Sequence, residues 1–481
     1  MTAGIHHKQW AVTAFMKEAL SMDGYHLLGD SGYPCRRWCC PLLITQTWAK
    51  SAYFRATNPQ EVKLRGGIGT EEKLDFPRDI RKYLKRMSEV CLDAVLLLLV
   101  SCINLETSSG NDEYQVYLTT GDQSKLLSHE APCQVTSSHN GYSVWVDRTK
   151  RRQTMEGFGA AMTNSAAYII YNSPIQHSNT KRLLCFYLYV SSTGISYIRL
   201  PMGCSDFNAL EVYTFNDIPS GQTDFSLDHF SIDKDRAFVI PVIKEALLVN
   251  PNLKIVATPW SAPAWMKNNR NLNGGDFVDS WNYWHSYAMY FAKFIEAYKA
   301  EGINIESLTV QNEPILSRDD YPTMVMTVNQ QKAFIRDHLG PLFRQRNIQT
   351  KILVFDHNWS DSWFPEQVIS DGKHPCVPGL GGCDNCRGVI TVQNDKSERN
   401  AEYYVLGHVT KFVKPGAVRL ESNYIDYHTL RTVAFANTDG TTVIVVSNPS
   451  ATKPASFSLD VDGKHYQYNN LPPQSVVTFV K

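Results

Sequence analysis

The sequence predicts an α/β protein, a run of parallel βα units followed by a small antiparallel β domain. Strands and helices alternate at βα spacing from about residue 153, and after about residue 412 the pattern becomes hairpins with Asp-Gly turns. The first hundred or so residues read unlike either region and set where the folded enzyme-like part begins.

From residue 111 the elements follow in order. Residues 114–118 and 142–147 alternate as strands, 183–190 form a short apolar segment, and 195–200 read as a buried strand. Val239, Val242, Ile243, Ala246 and Leu247 recur at helical spacing before a strand at 254–259. A second helix carries Tyr283, Tyr287, Tyr290, Phe291, Phe294, Ile295 and Tyr298, and a strand at 305–310 follows. A third opens on Thr327-x-x-Gln330, a capping-box pattern, and leads to a strand at 351–355. In the tail, strands 433–436 and 441–446 flank Asp439-Gly440, and Asp462-Gly463 separates two more.

Composition narrows the function classes. With 481 residues and 47 basic against 47 acidic side chains, the chain is long enough for two or three domains and presents no net charge toward nucleic acid or anionic membrane. Its 43% hydrophobic residues, with 24 Tyr, 21 Phe and 10 Trp, exclude a disordered chain. Eleven cysteines in so long a chain are no disulfide scaffold, and only Cys383-x-x-Cys386 has zinc-site spacing, with no second pair. No metal and no cofactor are expected.

Residues 1–86 are basic and cysteine-rich in turns, with no sustained helical period. The run DGYHLLGDSGYPCRRW at 23–38 resembles the nuclease domain of Harbinger-type transposases around one catalytic aspartate, here Asp30. Metal-dependent strand cleavage needs several converging carboxylates, and the rest of that domain is missing, so a mobile-element remnant is expected. Residues 87–110 are laid out as a secretory signal: Lys85 and Arg86 before an apolar run of about ten, then Ser108, Ser109 and Gly110. The run is too short to span a membrane, and Met87 stands where translation would begin if the signal is used. A lysosomal or extracellular product is then expected, with the sequon Asn358-Trp359-Ser360 open to glycosylation.

The predicted strand ends are polar and aromatic, and strand ends are where parallel βα barrels carry chemistry. They read EGFGAAMTN (156–164), YIRLPMGCSDF (197–207), ATPWSAPAW (257–265), LTVQNEP (308–314) and LVFDHN (353–358). An isolated Asn312-Glu313-Pro314 could equally be a helix start. At the end of an apolar strand, after others bearing Arg199, Asp206 and Trp260, it reads instead as a carboxylic acid in a partly dry, aromatic-lined pocket. Such a carboxyl has its pKa raised, as proton donation to a glycosidic oxygen requires. Asn312 can hydrogen-bond a sugar hydroxyl, and Trp260 and Trp265 offer flat faces for a pyranose.

At these residues the chain resembles the glucosylceramidase (glucocerebrosidase) family, family 30 of the glycoside hydrolases. The resemblance runs from about Gly141 to Lys481 and is renewed in GGCDNCRG (381–388) and EYYVLGH (402–408). It implies a (β/α)8 TIM barrel at 153–408 and a β-sandwich built from both flanks, 111–152 and 409–481. It implies retaining hydrolysis of the β-glucosyl bond of glucosylceramide, a glycolipid reached at a membrane surface, with no nucleic-acid partner. Glu313 becomes the general acid/base, Asn312 its sugar-binding partner, and Arg199, Asp206 and Trp260 substrate-binding residues.

One departure limits what the resemblance implies. The family's nucleophilic glutamate ends the seventh barrel strand, and here only residues 359–380 separate the fifth strand end from the segment after the eighth. These read as a short helix (363–370) and a polar turn. Three βα units cannot fit, and by the chain's own spacing something on the order of 100 residues is missing. Asp356 and Glu366 are the only nearby replacements, and Asp356 would lie on the wrong side of the sugar. The chain is therefore expected to be inactive, the alternative being a non-catalytic glycan- or glycolipid-binding protein.

Overall fold

A computed structural model describes residues 112–172 (without 138), 194–354 (without 209), 356, 369–370 and 388–481 (without 394–395 and 424–428). The chain divides into two compact units, residues 1–31 with 112–481 and residues 32–111; every described residue lies in the first. The transposase-like run at Asp30, the apolar run after Met87, the 183–190 segment, the Asn358 sequon, Glu366 and the Cys383–Cys386 pair lie outside the described residues.

The flanks form a nine-stranded sheet in the order β16-β15-β3-β12-β13-β14-β17-β1-β2. Its strands are β1 (Glu113–Thr119), β2 (Ser128–Gln134), β3 (Tyr142–Thr154), β12 (Val418–Ser422), β13 (Arg431–Ala436), β14 (Thr442–Asn448), β15 (Ala455–Val461), β16 (Lys464–Leu471) and β17 (Ser475–Val480). β3 runs far past the expected strand because it has two partners. Residues 142–146 pair parallel with β15, and the remainder pairs antiparallel with β12 across two register shifts. Such irregularities bend a strand, letting the sheet fold over its own core. That core holds Val116, Val144, Leu420, Ile444, Phe457, Leu459, Val477 and Phe479. Asp462 and Gly463 both take positive φ (51° and 75°), as the tight turn between β15 and β16 demands. The far ends of the sheet also meet, through a bridge between Val135 and Tyr466.

The middle of the chain forms a parallel sheet in strict sequence order: β4 (Gly159–Ala161), β5 (Tyr197–Pro201), β6 (Lys254–Thr258), β7 (Ser307–Thr309) and β8 (Lys351–Leu353). Four of these are the strands read at 195–200, 254–259, 305–310 and 351–355, shortened or shifted by a residue or two, and β4 lies in the predicted strand-end segment 156–164. Gly159 is required there, because a Cβ would lie 1.5 Å from the Tyr197 carbonyl oxygen of the paired strand. Besides a single turn at Asp233–Arg236, the helices among the described residues here are α1 (Asn164–Asn172), α2 (Val239–Val249), α3 (Trp281–Ala300) and α4 (Val328–Ala333), the last prolonged through a π turn to Gln345. α3 buries Tyr287, Tyr290, Phe291, Phe294 and Tyr298, the aromatic stripe its spacing predicts. Thr327 caps α4 as expected: its hydroxyl accepts from the Gln330 N–H, and the Gln330 side chain accepts from the Thr327 N–H at 2.8 Å.

Of the helix anticipated at 363–370, residues 363–368 lie outside the described residues, and Ile369–Ser370 form a strand, β9, paired parallel with β10 (Ile390–Gln393) and extended by β11 (Lys396–Arg399). A two-residue strand leaves no hydrophobic period in the sequence by which to find it. Next comes α5 (Ala401–Thr410), whose buried His408 is hydrogen-bonded to Thr478 at 2.7 Å and Thr119 at 2.8 Å. Burial pushes the imidazole down to about 3, so it joins α5 to the nine-stranded sheet as a neutral ring.

Candidate active site

The predicted site residues converge at the C-terminal ends of consecutive parallel strands. Arg199 lies within β5 and points across the sheet. Its guanidinium donates to Asn312 Oδ1 at 2.7 Å and to Asp356 Oδ2 at 3.0 Å, and sits 4.6 Å from the centre of the Trp260 ring. Trp260, just past β6, is held from behind by its own carbonyl, which accepts from Gln311 at 2.7 Å. Its indole N–H hydrogen-bonds Asp206 in the loop after β5. One planar cation thus locks an amide, a carboxylate and an indole into fixed orientations.

Glu313 enters with a strained backbone. Its φ is +44°, a conformation that costs a non-glycine residue about 1 kcal/mol or more. The strain is held by three hydrogen bonds: Glu313 N–H to Asp356 O at 2.7 Å, Leu316 N–H to Glu313 O at 2.8 Å, and Asn312 N–H to Pro259 O at 2.9 Å. Burial, with a smaller push from the Asp206 charge, raises the carboxyl to about 7 against the pull of Arg199 and Arg318. Asp206 is half-buried, and its loss of solvent lifts it to about 6 despite Arg199 and its hydrogen bonds. Its Oδ1 meets no partner among the described residues, an acceptor that a hydroxyl could satisfy.

Asp356 plays a different part from the one weighed in the sequence. Besides Arg199, its Oδ2 accepts from Thr258 at 2.9 Å and Thr309 at 2.6 Å. A buried carboxylate so bound is a counter-ion for Arg199 rather than a free nucleophile. Trp265 is a correction. Its ring lies in the core, edge-on to Phe225 at 5.5 Å and tilted on Tyr283 at 5.8 Å, with Nε1 donating to Asn216 at 2.7 Å. It has no free face for a sugar.

Sequence reasoning missed four contributors. Thr258 and Thr309 close adjacent strands, a signal visible only once the register is known. Arg318 and Tyr321 belong to an aperiodic loop, yet Glu313 feels the charge of Arg318, and Tyr321 that of Glu313. Arg318 also lines a polar cleft of about 570 Å³ with Asn269, Asn273, Gly274, Gly275, Ser317 and Asp319.

A protonatable carboxyl beside a sugar-sized set of donors and acceptors, at the strand ends of a parallel βα sheet, defines a glycoside hydrolase. The chain belongs to glycosyl hydrolase family 30: the family's TIM-barrel domain matches residues 155–373 and its beta sandwich domain residues 416–479. Endo-1,6-beta-D-glucanase of Neurospora crassa is 27% identical over 427 residues, covering 69% of this chain and 88% of that protein. Lysosomal acid glucosylceramidase of Mus musculus is 33% identical over 240 residues, 46% of this chain and 44% of that protein. Among solved structures, the endo-beta1,6-glucanase BT3312 superposes with a TM-score of 0.64 at 26% identity, covering 76% of this chain and 99% of that one.

The Neurospora comparison also carries a length. Its 427 aligned positions draw on 69% of 481 residues, about 332, so roughly 95 positions have no counterpart in this chain. That deficit has the size predicted from the spacing of the strands.

Proposed function

We propose that this chain recognises a β-linked glucoside, glucosylceramide in the finer reading, and does not turn it over by the retaining route. The observation that carries this is the pairing state of the carboxylates. Glu313 is raised and placed to donate a proton, whereas Asp356 is committed to Arg199, Thr258 and Thr309. Retention needs a second carboxylate about 5–5.5 Å away, on the opposite face of the sugar, free to attack. The strand that would bring it belongs to the segment this chain lacks.

Asn312 and Asp206 would take the hydroxyls of the glycone, with the edge of the buried Trp260, held under Arg199, closing the site behind them. The aglycone would leave toward Arg318 and the polar cleft. The glucosylceramide reading rests on the similarity to the mouse protein, which spans 46% of this chain. A polar cleft and the likeness to β1,6-glucanases favour a second reading, a β1,6-linked glucan, and the two differ in the chemistry of the aglycone. A lysosomal or extracellular location belongs to the first reading and depends on the apolar run after Met87.

Isothermal titration with octyl β-glucoside, gentiobiose and glucosylceramide vesicles tests recognition, and release of a fluorogenic β-glucoside aglycone tests turnover. Saturable heat that Trp260→Ala abolishes, with no aglycone released, is the expected result. Turnover that Glu313→Gln removes would overturn the non-catalytic part. No heat with any of the three would overturn recognition itself.

A further inference from the structure

Away from the sugar site, the β-sandwich gathers two imidazoles and a carboxylate where its sheet closes. Asp460 and His465 face each other across the β15–β16 hairpin, with His465 Nδ1 2.5 Å from Asp460 Oδ1. The ring of His139, from the loop after β2, lies 4.0 Å from that of His465, centre to centre and edge-on. One ligand atom from each of the three can be chosen so that all lie within 4.8 Å of one another.

This grouping is held rather than accidental. Thr136 N–H donates to the His465 carbonyl at 2.8 Å, and the Gln467 side chain clamps both main-chain groups of Asn140 at 2.9 Å. The loop bearing His139 is thereby anchored on either side of it. Asp460 is oriented by the hydroxyls of Ser143 and Ser458. Burial pushes its carboxyl up, but the hydrogen bonds from Ser143, His465 and Ser458 outweigh this and keep it below its ordinary value, hence anionic. A ligating carboxylate fixed by hydroxyl donors, beside imidazoles, is the arrangement that metal sites use to orient their ligands.

We propose that His139, Asp460 and His465 bind a divalent cation of the zinc class, completed by water, which pins the 136–140 loop to the β15–β16 hairpin. The donor set of two imidazoles and one carboxylate suits zinc and excludes calcium or magnesium as the preferred ion. Ligands at about 2.0–2.1 Å around a tetrahedral zinc stand about 3.4 Å apart, so the site closes by a small inward swing of the exposed His139. On binding through Nδ1, the neutral His465 ring carries its one proton on Nε2, so no net proton is released, and the Asp460 carboxylate turns from that ring to the cation. The ion would sit beside the Val135–Tyr466 bridge, where the ends of the nine-stranded sheet meet. This revises the expectation from sequence of no metal, which considered only the Cys383–Cys386 pair.

Thermal unfolding of the full chain, followed in EDTA and then with stoichiometric and excess zinc, tests the site. A cation held by the folded state alone raises Tm with its concentration. The expected result is a rise of several degrees with zinc, little with magnesium, and one zinc bound per chain by titration. His139→Ala should keep the wild-type Tm in EDTA, since its side chain is exposed, and should lose the zinc response. His465→Gln should lose it as well. No zinc response in the wild type, or an equal response in His139→Ala, overturns the proposal, because binding would then be absent or located elsewhere.

Discussion

The nine-stranded sheet brings its two ends together at Val135 and Tyr466, whereas the five-stranded parallel sheet ends at β4 and β8 with no further partner among the described residues. The difference follows from how each is connected. The sandwich is made largely of antiparallel neighbours joined by short turns, so each hairpin buries its own share of the core. A parallel barrel closes only when its last strand reaches its first, and each strand costs a helix and two loops. Removing units from the middle of a sequence therefore leaves a sandwich whole and a barrel open.

The acid half of the site survives such a loss because its hydrogen bonds are internal to four neighbouring strands. Arg199 on β5, Trp260 after β6, Asn312 and Glu313 after β7, and Asp356 after β8 bind one another. None of these contacts reaches toward a sixth strand.

Substitutions in the two regions should separate them. Phe457→Ala, in the sandwich core, should cost about 3–5 kcal/mol, the usual loss for a fully buried phenylalanine, and should lower the main unfolding transition in urea. Its effect on glucoside binding should be small. Arg199→Ala should cost about 3 kcal/mol on the barrel side by leaving Asp356 buried and unpaired, and it should abolish binding outright. If Arg199→Ala lowered sandwich and barrel probes equally, the two regions would unfold as one, and the contrast between a closed and an open sheet would lose its energetic meaning.

A pH series sharpens the same comparison. Glu313 is raised from 4.5 to about 7 and Asp206 from 3.8 to about 6, both chiefly by burial. In the window between the ordinary and the raised values, the folded state holds protons that the unfolded state has lost. The stability from these protonated forms is complete below about pH 4 and falls as pH rises toward 7. Barrel stability should decline across that window, less steeply in Glu313→Gln, whereas the sandwich should gain stability as pH rises, because His408, held neutral at about 3 between α5 and the sheet, must charge on unfolding below its ordinary value. A Glu313→Gln profile parallel to that of the wild type would show that the raised carboxyl is not what makes the barrel pH-sensitive.

How far the sequence could be read follows the same division. The barrel strands were legible because apolar runs are local signals, and the polar and aromatic residues that end them, Arg199, Asp206, Trp260, Asn312 and Glu313, are brought together by the strand order. The pairing of Arg199 with Asp356 was not legible, since the partners stand 157 residues apart and only the strand order joins them. Trp265 misled because a tryptophan near a strand end can face either the pocket or the core, and Phe225, from a distant loop, decides which. The two roles of β3 were hidden for a similar reason: a strand's partners are not written in its own alternation.

The smallest effect tests where the barrel's looseness resides. Thr327→Ala removes the capping hydroxyl of α4, the helix of the last complete βα unit before β8, at a cost of about 1 kcal/mol. In a closed barrel that loss would spread over a cooperative whole. In a sheet that stops at β8, it should fall on the terminal unit. Hydrogen exchange should therefore quicken in α4 and at β8 while the amides of β14 keep their protection. The Asp356 carbonyl that braces Glu313 follows β8 directly, so the same substitution should weaken glucoside binding a few-fold without touching a residue of the site. Uniform acceleration across α4, β8 and β6 would mean that the five strands already open together, and that β8 is no weaker an edge than its neighbours.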